Sequence, residues 1–182
     1  MQKKLFSKIL IFQWIAAMIL CSGIGCRQPN PEGREDVSGT VTLNGKAIDP
    51  KWYATISFVP GDGRDVTEGG GGQITGGKYL LTGIGGIKPG HYKVRIFINQ
   101  LYDIRTGEPS TPETGDFDSV RVNMIPADFN DDTILEFEVI QGKRNTFHYN
   151  VVTDYIPDVD AVIRSVINRQ RNTRSPAGLL EI

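Results

Sequence analysis

The chain has 182 residues with 39% hydrophobic and 23% charged side chains, a balance that excludes both a disordered chain and a polytopic membrane protein. Its formal charge is −1, and Lys3, Lys4 and Lys8 are the only charges in the first 25 residues, so the remainder carries −4 and lacks the basic balance of a nucleic-acid-binding surface. Both cysteines, Cys21 and Cys26, lie near the start, which removes internal disulfides and thiolate metal sites from the rest, and imidazole comes only from His91 and His148.

The N-terminus has the layout of an export signal. Residues 1–8 are basic, residues 9–21 are apolar apart from Gln13, and Ser22-Gly23-Ile24-Gly25-Cys26 is a stretch of mostly small residues. The apolar run, about 12 residues, is shorter than the roughly 20 that a spanning helix needs. Gly25-Cys26 resembles a bacterial lipobox, in which Cys26 becomes the lipidated first residue; Gly23 stands where the lipobox prefers Leu, and bulky Leu20 disfavours Cys21. An ordinary cleaved signal and an uncleaved anchor are the alternatives. On the lipoprotein reading, residues 1–25 are the signal peptide and several acyl chains on Cys26 hold the protein stably on a membrane, facing the periplasm or the cell exterior. Residues 26–36, rich in charge and with Pro29 and Pro31, read as a solvated tether.

Residues 37–43 alternate, with Val37, Val41 and Leu43 on one face and Ser38, Thr40 and Thr42 on the other. Asn44-Gly45 marks a tight turn, because both residues tolerate positive φ. Residues 52–59 follow as a strand with Trp52, Ala54, Ile56 and Phe58 on one face, and the two strands are expected to pair around the turn. Residues 62–72 end in four glycines but lack the Gly-Lys-Ser/Thr of a phosphate loop, and no helical pattern follows, so a flexible loop is expected. Residues 73–75 pair briefly, and residues 78–82 and 91–98 are the next strands, paired across a Pro89-Gly90 turn. In the second of these Tyr92, Val94, Ile96 and Ile98 point inward, His91, Lys93 and Arg95 outward, and Phe97 asks for partial cover.

Residues 99–118 read as a long loop that is either disordered or a specificity element, since Gly107 to Pro112 sustains neither helix nor sheet. Residues 120–124 form a strand, Asp128 to Asp132 an acidic turn, and residues 133–140 and 144–152 a second hairpin around Gln141-Gly142-Lys143. Seven short strands without intervening helices predict an all-β, antiparallel sandwich over residues 37–152. Asp158 then caps a helix whose stripe is Val159, Val162, Ile163, Val166 and Ile167, docked on the sandwich or free for a partner, within a C-terminal segment 153–182.

Val37-Ser38-Gly39-Thr40-Val41-Thr42-Leu43-Asn44-Gly45-Lys46, Ile56-Ser57-Phe58-Val59-Pro60, Gly77-Lys78-Tyr79-Leu80 and Pro89-Gly90-His91-Tyr92-Lys93-Val94 resemble the carboxypeptidase regulatory-like family of exported bacterial lipoproteins. Residues 125–139 and Asn145-Thr146-Phe147 are similar to the closing part of those lipoproteins. The resemblance implies a seven-stranded transthyretin-like (prealbumin-like) sandwich and brings no catalytic residues. The 99–118 segment and the terminal helix depart from the family pattern. The C-terminal Ala177-Gly178-Leu179-Leu180-Glu181-Ile182 does not match the Tyr-Arg-Gly-Ser end of the hydroxyisourate hydrolases, an enzymatic branch of the same architecture.

The residues leave little for catalysis. His91 and His148 are expected on outward faces, and a hydrolase built on either is the minor alternative. No His pair has zinc spacing. Asp128, Asn130, Asp131 and Asp132 supply hard oxygen ligands without EF-hand spacing, so a solvated turn is preferred to a Ca²⁺ site. The expectation is a non-enzymatic, lipid-anchored binding or structural module without cofactor or metal, its partner an envelope protein or glycan. A carbohydrate- or peptide-binding domain using the 99–118 loop is the alternative, with Trp52 and Tyr102 as the aromatic contacts.

Overall fold

The computed structural model describes residues 33–61, 63, 65–111 and 118–174. The expected signal peptide, Cys26, most of the tether and the last residues of the chain lie outside the described residues. Ten strands and one helix are described: β1 (Val37–Leu43), β2 (Lys46–Ala47), β3 (Tyr53–Pro60), β4 (Gly70–Ile74), β5 (Lys78–Leu81), β6 (Gly90–Asp103), β7 (Pro109–Ser110), β8 (Ser119–Asn123), β9 (Glu136–Val139), β10 (Asn145–Val151) and α1 (Val159–Arg174). They form two sheets. In the first, β1 is flanked by β10 on one side and by β5 and β2 on the other; in the second, the order is β4-β3-β6, and β7, β8 and β9 all pair with β6.

The alternating residues enclose one core between the sheets. Val37, Val41, Tyr79, Leu81 and Val151 come from the first sheet, and Ala54, Ile56, Phe58, Tyr92, Val94, Ile96 and Ile98 from the second. Phe58 is the hub of an aromatic seam: its ring lies 5.7 Å from Phe137, 6.2 Å from Phe147 and 6.2 Å from Tyr79. Phe147 in turn stacks on Tyr149 at 5.9 Å. Offset and edge contacts of this kind add to what area burial alone contributes.

The strands stand where the alternation predicts them, but several partners differ from expectation. The described pairings are antiparallel except one: β1 runs parallel to β10 from Val37 opposite Asn145 to Leu43 opposite Val151. The expected pairing of residues 37–43 with 52–59 does not form; Asn44-Gly45, both at positive φ, return the chain only into the two-residue β2, after which β3 enters the other sheet. The 78–82 and 91–98 strands likewise part, β5 joining β1 and β6 joining β3. The second expected hairpin is also a passage between sheets, because β9 pairs with β6 and β10 with β1. The buried Asn145 holds that corner: its Oδ1 accepts from Ile140 N at 2.8 Å, and its Nδ2 donates to the carbonyls of Ile140 and Lys143, each at 3.1 Å.

Parts of the two expected loops are strand, and residues 62, 64 and 112–117 of those loops lie outside the described residues. Gly70 to Gly72, read as a flexible run, belong to β4 and face β3. Gly72 sits opposite Ile56 with Leu81 packed so close that a Cβ would lie 2.6 Å from its Cδ2, so glycine here makes room for core side chains. The segment after Ile98 continues β6 to Asp103, with residues 109–110 and 119–123 returning against it. Asp103 closes the intervening turn by accepting from Arg105 N at 2.7 Å and Thr106 N at 3.0 Å, and these bonds hold its carboxyl below the usual range.

The body also starts earlier than the expected tether boundary. Arg34 donates to the carbonyls of Gly86 and Thr67, each at 2.9 Å, and Glu35 exchanges backbone bonds with Ile87. At the other end, Asp158 Oδ1 accepts from Ala161 N at 2.8 Å, the expected N-cap. Helix α1 packs against β8, burying Ile163 while the rest of its apolar stripe stays half-exposed.

Candidate functional site

The histidines lie on different sheets. His91 stands outward on β6 opposite Glu138 of β9, its Nε2 3.8 Å from Oε1. His148 stands on the outer face of β10, where Thr40 Oγ1 and His148 Nδ1 are 2.8 Å apart. A hydroxyl beside an imidazole has the form of a nucleophile and base. The next pair along the same two strands repeats the arrangement without a histidine: Thr42 Oγ1 donates to Asn150 Oδ1 at 2.8 Å. Thr40 and Thr42 are the register partners of His148 and Asn150, so the contacts form one cross-strand ladder that ties the parallel pair together.

The acidic turn is occupied with its own backbone. Asn130 is buried, its Nδ2 donating to Pro126 O at 3.0 Å and its Oδ1 accepting from Asp131 N at 2.8 Å, so its amide is engaged in holding the turn. Among the described residues no three His, Cys, Asp or Glu side chains converge as a metal set. Asp131 instead faces Arg95 at 4.0 Å, in a depression where Lys93 and Arg95 meet Asp131 and Asp132.

Trp52 and Tyr102 are not brought to a common recess. Trp52 precedes β3 and packs half-buried against the core, and Tyr102, near the end of β6, donates to Gln100 Oε1 at 3.3 Å.

A recess of ≈ 600 Å³, not anticipated from the sequence, lies on the outer face of the first sheet. Strand register places its residues in rows: Leu80, Ser38 and Thr146 across β5, β1 and β10, then Lys78, Thr40 and His148. Gln73 and Thr75 wall one side and Arg144 closes one end. Lys78 and Arg144 are its charged residues, and no carboxylate lines it. An adjoining depression shares Ser38, Leu80 and Arg144 and adds Lys143 and Asp36.

The floor of this recess is tied to the core through Tyr79. Its ring is buried and its hydroxyl donates to Phe147 O at 2.9 Å, passing over Gly39. Burial pushes the Tyr79 phenol far above its ordinary value of 10.0. The folded-state pKa is raised, so the stability from this group is complete below about pH 10 and is lost progressively as pH rises beyond it. Tyr79→Phe is expected to cost about 1 kcal/mol at neutral pH and to flatten the alkaline loss of stability, which urea titrations at neutral pH and about pH 11 will read.

Comparison with protein-family models, with curated proteins and with solved structures finds no match to this chain.

Proposed function

We propose that the protein is a non-catalytic binding module of the cell envelope, a transthyretin-like sandwich held to a membrane through lipid on Cys26. The observation that carries the binding reading is the recess on β5, β1 and β10, an open and largely apolar surface with two cations and no acid. The Thr40–His148 contact supports a non-catalytic role, because the same ladder continues with Asn150 where no base is present. The sequence layout at residues 1–26 and the resemblance to exported lipoproteins support the anchor and the envelope location.

Two measurements test this reading. Metabolic labelling with a fatty acid in a bacterial host is expected to mark the wild type and spare Cys26→Ser; equal labelling of both removes the anchor. Thr146→Arg fills the recess from an exposed position without touching the core. The full-length wild type in detergent is expected to co-sediment with isolated envelope polysaccharide and Thr146→Arg to remain in solution. Equal sedimentation of the two removes the recess as the binding surface.

A further inference from the structure

The chemistry of the recess narrows its ligand. Lys78 and Arg144 are both exposed, in a body whose charge is −4, whereas the cations of the depression on the other sheet face Asp131 and Asp132. The adjoining depression sets Lys143 and Arg144 beside Asp36, and Glu35 also reaches this corner, its Oε1 accepting from Gly142 N at 2.9 Å. An anion is therefore attracted to this face more than to the depression on the other sheet, where the cations face carboxylates.

The two cations are set apart along the recess. Lys78 partners Thr40, while Arg144 lies four residues before His148, the other partner of Thr40. Their backbones are therefore about 13 Å apart along the strands and about 10 Å across them. Between them lie Ser38, Thr40, Thr146 and His148, which offer hydroxyl and imidazole groups, and Leu80, 64% exposed, which offers an apolar patch. The floor is the face of three paired strands and presents side chains alone. A peptide that binds as an added strand pairs its backbone at a free sheet edge, which a face does not supply.

We infer that the recess binds an acidic oligosaccharide, its carboxylates taken by Lys78 and Arg144 and its hydroxyls by the Ser and Thr side chains between. The guanidinium fork of Arg144 suits a planar carboxylate, and Leu80 suits the C–H face of a sugar ring. This assignment rests on the binding-module reading and deepens it.

Isothermal titration of the full-length protein in detergent at low salt, with a short oligogalacturonate as the probe, tests the assignment. Binding is expected to be salt-sensitive, to weaken about tenfold in Lys78→Gln and in Arg144→Gln, and to be lost in Thr146→Glu, with unchanged circular dichroism in all three. A neutral oligogalactan and a short polyglutamate are the comparison probes. Equal binding of the neutral sugar overturns the acidic class while leaving a binding recess; equal binding of polyglutamate shows attraction by charge alone and overturns the saccharide. No binding of oligogalacturonate overturns the inference itself, and co-sedimentation with envelope polysaccharide then decides separately whether the binding module survives.

Discussion

Gly39→Ala is expected to destabilise the protein by about 3 kcal/mol or more, lowering the melting temperature by roughly 10 °C. Gly39 lies at the centre of β1, opposite Phe147 of β10 and Tyr79 of β5. A Cβ added there would overlap the Phe147 carbonyl oxygen and stand 2.9 Å from the Tyr79 hydroxyl. The obstacle is mainly backbone, and backbone in a paired strand cannot rotate aside as a flexible side chain does. Relief requires β10 to move off β1 or Tyr79 to give up its bond to Phe147 O, and either change disturbs the seam of Phe58, Phe137 and Phe147. A variant that melts within a degree or two of wild type would show that β1 and β10 do not approach this closely. Because Gly39 also floors the recess, oligosaccharide binding should fall with stability in Gly39→Ala, whereas Lys78→Gln separates binding from stability.

The same residue shows where the sequence stops being legible. Period-two alternation depends on one strand and its two faces, so β1, β3, β6 and β10 and their inward residues could all be read from local pattern. Pairing depends on a second strand, and alternation is identical whether the neighbour runs parallel or antiparallel. Nothing in Val37–Leu43 announces that its partner lies more than a hundred residues away in β10, and the tight Asn44-Gly45 turn suggested a nearer one. Gly70 to Gly72 misled for a related reason: glycine signals a loop from local propensity, but here the Ile56 carbonyl stands where a Cβ of Gly71 would go and Leu81 where a Cβ of Gly72 would go. The extension of β6 to Asp103 carried a missed signal, since Asp103-Ile104-Arg105-Thr106-Gly107 has the Asp and positive-φ Gly of a closed turn.

The candidate site was less legible than the fold. Trp52 and Tyr102 drew attention because aromatic residues can stack on sugars, but each is engaged elsewhere. The residues of the recess are Ser, Thr, Lys and Arg on outward faces, the pattern of any solvated strand. They become a surface only when register sets Lys78, Thr40 and His148 side by side and brings Arg144 to the end of the same face. The exposed polar residues could be identified from the chain; their assembly could not.

Asn145→Ala is expected to cost about 2–3 kcal/mol, more than an ordinary polar-to-alanine change. The side chain is 5% exposed and satisfies three backbone groups at the passage from β9 to β10. Removing it deletes three hydrogen bonds at once from a turn whose other residues are exposed, so the loss is that of the bonds that fix the passage. Asn145→Asp gives the sharper test. It keeps an acceptor for Ile140 N but replaces the donating nitrogen by one carboxylate oxygen facing two carbonyls, so the variant should be less stable at neutral pH than in mild acid, where a protonated Asp can donate once more. The acid-side recovery follows from the sign: repulsion raises the folded-state pKa of the new carboxyl, and its stability is greatest below the unfolded value and lost as pH rises. Hydrogen exchange supplies the local readout, with the Ile140 amide exchanging far faster in Asn145→Ala than in wild type. Retained protection there would mean that the passage between the sheets is held by something other than Asn145. Because Arg144 immediately precedes this side chain, a corner that slackens should also weaken oligogalacturonate binding in conditions where the variant remains folded, which ties the sheet-to-sheet passage to the recess it closes.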